Sequence, residues 1–141
     1  MLMARIMAID YGSKRSGIAV TDPTQTIATA LITVQSHQLL DYLKDYFAKE
    51  KVELVLIGEP KRLNNTHSNT THLVHAFCKK FEMTFPKLAF KLVDERFTSK
   101  IATFSLLESG QSRKTRQDKS VLDRISATIL LQDYLLTLPP K

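Results

Sequence analysis

Hydrophobic and polar positions change their period near residue 36. Before it, residues 6–11 form a short apolar run that ends in Asp10-Tyr11-Gly12. Residues 16–21 are small and β-branched, and residues 27–34 are rich in Ile, Thr and Val. Turn-forming residues separate the runs, at 12–15 and again at Asp22-Pro23-Thr24. The pattern predicts three consecutive strands joined by tight turns. After it, Leu39, Leu43, Tyr46 and Phe47 recur at helical spacing, with Ser36 placed to cap that helix.

Strands and helices then alternate. Residues 54–57 are wholly apolar and stop at Gly58-Glu59-Pro60, and a polar loop covers 61–69. Leu73, Val74, Phe77 and Phe81 mark one face of a second helix. Residues 88–93 read as a strand that stops at Asp94-Glu95-Arg96. Ile101, Phe104 and Leu107 mark a third helix closed by Gly110. A basic polar loop leads to Asp118, placed as an N-cap, and a last helix runs to Leu136, apolar on most sides and so expected to be buried. The order β-β-β-α-β-α-β-α-α predicts an α/β fold, a mixed five-stranded sheet with helices on both faces.

At 141 residues, the chain is expected to form one domain over 1–141. One cysteine, Cys78, excludes an internal disulfide and a cysteine zinc cluster. The first residues lack the basic start and long apolar run of a signal peptide, and no run approaches the ~20 residues of a membrane span. The expectation is a cytoplasmic protein without membrane attachment. The net charge of +6 favours an anionic partner, nucleic acid above all.

Three acids stand out. Asp10 and Glu95 each end an apolar strand, where open α/β sheets bind ligands. Asp123 heads a stripe of the last helix that continues through Ser126, Ala127, Leu130 and Tyr134. Each acid alone has a bland reading as a turn cap, an ion pair or a first-turn helix acid. Converging on one point, the three would repel unless a hard divalent cation, Mg²⁺ or Mn²⁺, lay between them. Such a site hydrolyses phosphodiesters, and a net-positive chain carrying it suits a polyanionic substrate.

Arg113, Lys114, Arg116, Lys119 and Arg124 outweigh Asp118 and Asp123 across 110–124. This segment is placed to grip phosphates without reading bases. Lys14 in the first turn is a further candidate contact. His72 and His75 follow a polar helix stripe with Lys79 and Glu82, which favours a solvated face over a zinc site.

The motifs Asp10-Tyr11-Gly12 with Gly17, Gly58-Glu59-Pro60, Asp94-Glu95-Arg96-Phe97-Thr98-Ser99, and Asp123-Arg124-Ile125-Ser126-Ala127 follow in that order. Together the chain resembles the YqgF, or RuvX-like, family over essentially its whole length. The resemblance implies an RNase H-like fold and a nuclease that processes the 5′ end of pre-16S ribosomal RNA. It implies Asp10, Glu95 and Asp123 as catalytic metal-binding acids. Arg96, Thr98 and Ser99 would then contact substrate, with precursor rRNA or the ribosome and its precursors as partners. A resolvase-like nuclease acting on branched DNA, or a nucleic-acid-binding protein that does not cut, are the alternatives. Two positions depart from the family pattern. Glu59 stands where an aliphatic residue is usual, and Asn64-Asn65-Thr66 replaces an Asp-Gly-Thr-like turn. Glu59 is thereby a candidate additional ligand, and His67 in the same loop a candidate phosphate contact.

Overall fold

The structure, a computed structural model, describes residues 4–59, 71–94 and 119–138. β1 (Arg5–Asp10) is apolar on both sides because both are covered. Its alternation sends Met7 and Ile9 to one face of the sheet, and Ile6 and Ala8 to the other. β2 (Arg15–Thr21) returns antiparallel to β1, and β3 (Ala28–Gln35) antiparallel to β2. β4 (Val52–Glu59) lies parallel to β1 on its other side, and β5 (Ala89–Asp94) parallel to β4. The five-stranded order is β3-β2-β1-β4-β5. This is the mixed sheet that the pattern of meander followed by alternation predicts.

One face packs on α1 (Leu39–Lys49) and α2 (Thr71–Thr84). Met7, Ile9, Ile18, Val55 and Ile57 of the sheet meet Leu39 and Leu43 of α1 and Val74, Phe77 and Phe81 of α2. Rings link this layer from end to end. Tyr11 stacks on Phe77 at 4.9 Å, and Phe81 contacts Phe77, Phe85 and Phe90 at 6.1, 5.1 and 5.5 Å. Cys78 is buried in the same core, while His72 and His75 lie on the exposed side of α2.

The other face packs on α3 (Lys119–Leu136), which lies mainly over β2, β3 and β1. Ala8, Ala19 and Ala127 are wholly buried there, beside Ile6, Leu56, Leu130 and Leu131. Small residues on both sides let the helix axis come close to the sheet. Among the described residues of α3, the buried ones, Ser126, Ala127, Leu130 and Leu131, lie on this side. Gln132, Asp133 and Leu136 are exposed, so its apolar sequence does not make it an interior helix. The predicted helix around 101–107 lies outside the described residues.

Ser36 does not act as the expected cap. A 3-10 turn, Ser36–Gln38, precedes α1, and neither segment has a side-chain cap hydrogen bond. The Ser36 hydroxyl is engaged elsewhere, 2.8 Å from Ser16 Oγ and donating to the Gly12 carbonyl at 2.5 Å.

Candidate active site at the strand ends

β1, β4 and β5 run parallel, so Asp10, Glu59 and Asp94 end at one edge of the sheet. Because β2 and β3 run the other way or return, β2 begins and β3 ends at that same edge, where Arg15 pairs with Gln35. The strand ends that carry the sequence motifs are therefore brought together by topology.

Asp10 is half-buried at the tip of β1. The alternation through Ile6 and Ala8 continues to it, which puts it on the α3 face. Gly17 of β2 is its direct cross-strand partner. On the other side, Ile9 pairs with Ile57, so the next step brings Asp10 level with Gly58. Both neighbouring strands thus present glycine beside this carboxylate. Neither neighbour sets a side chain against it, and hard carboxylate oxygens are the donors that suit Mg²⁺ or Mn²⁺.

The turn after Asp10 is held rigidly. The Gly12 amide donates to Ser16 Oγ at 3.4 Å, and the Ser36 amide donates to the Lys14 carbonyl at 2.9 Å. Ser16 is fully buried, so its hydroxyl must be satisfied internally, as it is. A Cβ on Gly12 would stand 2.4 Å from the Arg15 carbonyl oxygen, which leaves glycine alone compatible with this turn. Lys14 is exposed on the turn. It lines an open cleft with Ser13, Arg15, Gln35 and His37.

Alternation along β5 puts Val93 on the α3 face, and Lys91 lies 5.5 Å from the Tyr134 ring of α3. β5 ends at Asp94. Position 123 lies within α3, three and four residues before Ser126 and Ala127, both buried against the sheet. Glu95, Arg96, Thr98, Ser99, Arg113, Lys114 and Arg116 lie outside the described residues, as does His67. Sequence reasoning did not select Tyr11, His37 or Lys80. These line a second cleft beside the same turn, on the α1/α2 face. For Tyr11 alone a signal was available, the strand alternation, since the residue after an acid on one face points to the other.

No helix among the described residues is long and apolar enough to cross a membrane. The fold is similar to that of Thermus thermophilus RuvC, solved in complex with a Holliday junction substrate. The TM-score is 0.59 at 12% identity, with 98% of this chain and 99% of the other covered. A protein of Flavobacterium johnsoniae named "Putative pre-16S rRNA nuclease" is 56% identical over 133 residues, 94% of this chain and 96% of that one. A protein of the same name from Flavobacterium psychrophilum is 54% identical, over 94% of this chain and 97% of its own. The family model described as "RuvX: Holliday junction resolvase" matches residues 4–137. With that match and these relatives, the chain belongs to the RuvX family.

Proposed function

We propose that this chain is a metal-dependent nuclease, one RNase H-like domain over 1–141, that processes the 5′ end of pre-16S rRNA in the cytoplasm. The observation that carries the reading is Asp10, held between Gly17 and Gly58 at the strand ends on the face packed by α3. Family membership and the name borne by the relatives support the substrate class.

In this reading Asp10, Glu95 and Asp123 hold Mg²⁺ or Mn²⁺. Glu95 directly follows β5, and Asp123 precedes the buried stripe of α3 by one turn. Held by these three acids, two such cations would supply an activated water and charge stabilisation at the leaving oxygen of a phosphodiester. The chain's own task is placement. The rigid turn fixes Asp10, and the close fit of α3 fixes the helix that carries Asp123. Lys14, Arg96, Thr98, Ser99, Arg113, Lys114 and Arg116 engage phosphates, which positions the strand without reading its sequence.

The test is cleavage of a precursor 16S transcript beside a four-way DNA junction, with Mg²⁺, Mn²⁺ or EDTA. Metal-dependent cutting of the transcript at its 5′ region supports the reading. Cutting confined to the junction, or full activity in EDTA, refutes it.

A further inference from the structure

We propose that the cleft on the α1/α2 face binds one nucleotide of a single-stranded RNA segment flanking the scissile bond. It rests on the nuclease reading for the identity of the strand. Asp10 and Tyr11 are consecutive, and alternation sends them to opposite faces of the same edge. Asp10 serves the α3 face, whereas Tyr11 stacks on Phe77 of α2.

Beside Tyr11 lies a cleft of about 350 Å³, within the range of small-molecule sites. Leu40, Leu73, Ala76 and Phe77 give it an apolar wall. Ser13, Ser36, His37 and Lys80 bring polar and cationic groups to the same space. None of the described residues lining it is acidic. A flat apolar group joined to an anion fits such a lining, and a nucleotide is that combination.

The cleft is not isolated. It shares Ser13 and His37 with the open cleft lined by Lys14, Arg15 and Gln35. The two form a path over the β1–β2 turn, with Lys14, Arg15, His37 and Lys80 along it. A strand lying across Asp10 can therefore continue over the turn, its phosphates on Lys14, Arg15 and Lys80, and seat a base on the far face. Seating a flanking nucleotide would fix which bond reaches the acids, making His37 and Lys80 positioning residues.

The experiment uses a 12-nucleotide single-stranded RNA carrying one 4-thiouridine, bound in EDTA so that no cutting intervenes. Irradiation followed by peptide mapping should place crosslinks in the segments holding Tyr11, His37 and Phe77. The surface double variant His37→Ala/Lys80→Ala should bind the RNA about tenfold more weakly. Ala76→Trp, which fills the cleft from an exposed position, should abolish the crosslink in those segments. Crosslinks confined to other peptides, or unchanged affinity in both variants, would overturn the proposal. Cleavage of the precursor is scored separately with Mn²⁺. A wild type that cuts normally while the cleft variants bind normally refutes the cleft and leaves the nuclease reading standing. Crosslinks in the cleft without any cutting support the cleft and refute the nuclease reading.

Discussion

Asp10 of β1 faces Gly17 of β2 directly across the antiparallel pair. Cross-strand partners on one face have Cβ positions about 4.5–5.5 Å apart, so a side chain at 17 would stand beside the carboxylate. Gly17→Val should therefore impair cleavage, and because Gly17 is buried on the face packed by α3 it should also cost about 1–3 kcal/mol of stability. We expect at least about a hundredfold loss of kcat/KM, or about 3 kcal/mol of transition-state stabilisation. Asp10→Asn should lose as much while keeping the thermal midpoint measured in EDTA. Normal activity in either variant would remove Asp10 from the site.

The turn that follows Asp10 is tested through Gly12 and Ser36. Gly12→Ala drives a methyl group into the Arg15 carbonyl and should cost about 1–3 kcal/mol. Ser36→Ala removes the bonds to Gly12 and Ser16 and should cost about 1–2 kcal/mol. Urea denaturation of both variants checks this. A Ser36→Ala protein as stable as the wild type would mean that the turn is held by its backbone alone.

Much of this arrangement was legible in the sequence. The apolar runs at 6–11 and 54–57 and the alternation after residue 36 were enough for the mixed sheet, because burial on both faces leaves a local mark on composition. Asp10 was legible for the same reason, as a charge at the end of a core strand. What was not legible depends on contacts between distant positions. Ser36 sits where a helix cap belongs, yet its hydroxyl goes to Ser16 and Gly12, a pairing set by the β2–β3 register. The cleft of Tyr11, His37 and Lys80 draws on three separate segments, and no spacing rule joins them. The exposed end of α3 was not legible either, because Leu136 is apolar but 84% exposed.

Phe81 tests the aromatic layer. It is fully buried and contacts Phe47, Phe77, Phe85 and Phe90. Phe81→Ala should destabilise by about 3–5 kcal/mol, through lost burial and the cavity left behind. Phe81→Leu should cost clearly less. Equal costs for the two would show that the neighbouring rings collapse to fill the space.

Asp22 gives the fold an acid-sensitive turn. The Thr24 hydroxyl, the Ile27 amide and then the Thr26 and Thr24 amides donate to its carboxylate and hold its pKa well below the usual range. A depressed folded value contributes stability above the unfolded value of about 4, and that contribution is lost as pH falls below it. The group is exposed, so the effect is screened and small. Asp22→Asn should thus be less stable than wild type at pH 7, with the gap closing toward pH 2. Urea midpoints at pH 7, 4 and 2 decide it, and a gap that persists unchanged would assign the loss to packing.

The basic segment 113–116 and the acids make opposite predictions about ions. If Arg113, Lys114 and Arg116 hold phosphates, replacing all three by Ala should weaken RNA binding regardless of sequence. It should also flatten the dependence of log K on log salt by about 2 units, near 0.7 per lost contact on a single strand. The acids should instead respond to metal in the absence of RNA. A cation that binds only the folded chain stabilises it by about 2.7 kcal/mol at a hundredfold excess over Kd. Mn²⁺ should therefore raise the melting temperature of the wild type and of the triple-Ala variant alike. If Asp10 and Asp123 are both ligands, as proposed, the rise should shrink in Asp10→Asn and in Asp123→Asn, because each change would remove one charged ligand. Thermal melts of all four proteins in EDTA and in Mn²⁺ separate the two groups. An Asp123→Asn protein that gains as much from Mn²⁺ as the wild type would place Asp123 outside the metal site, and α3 would then serve the sheet rather than the chemistry.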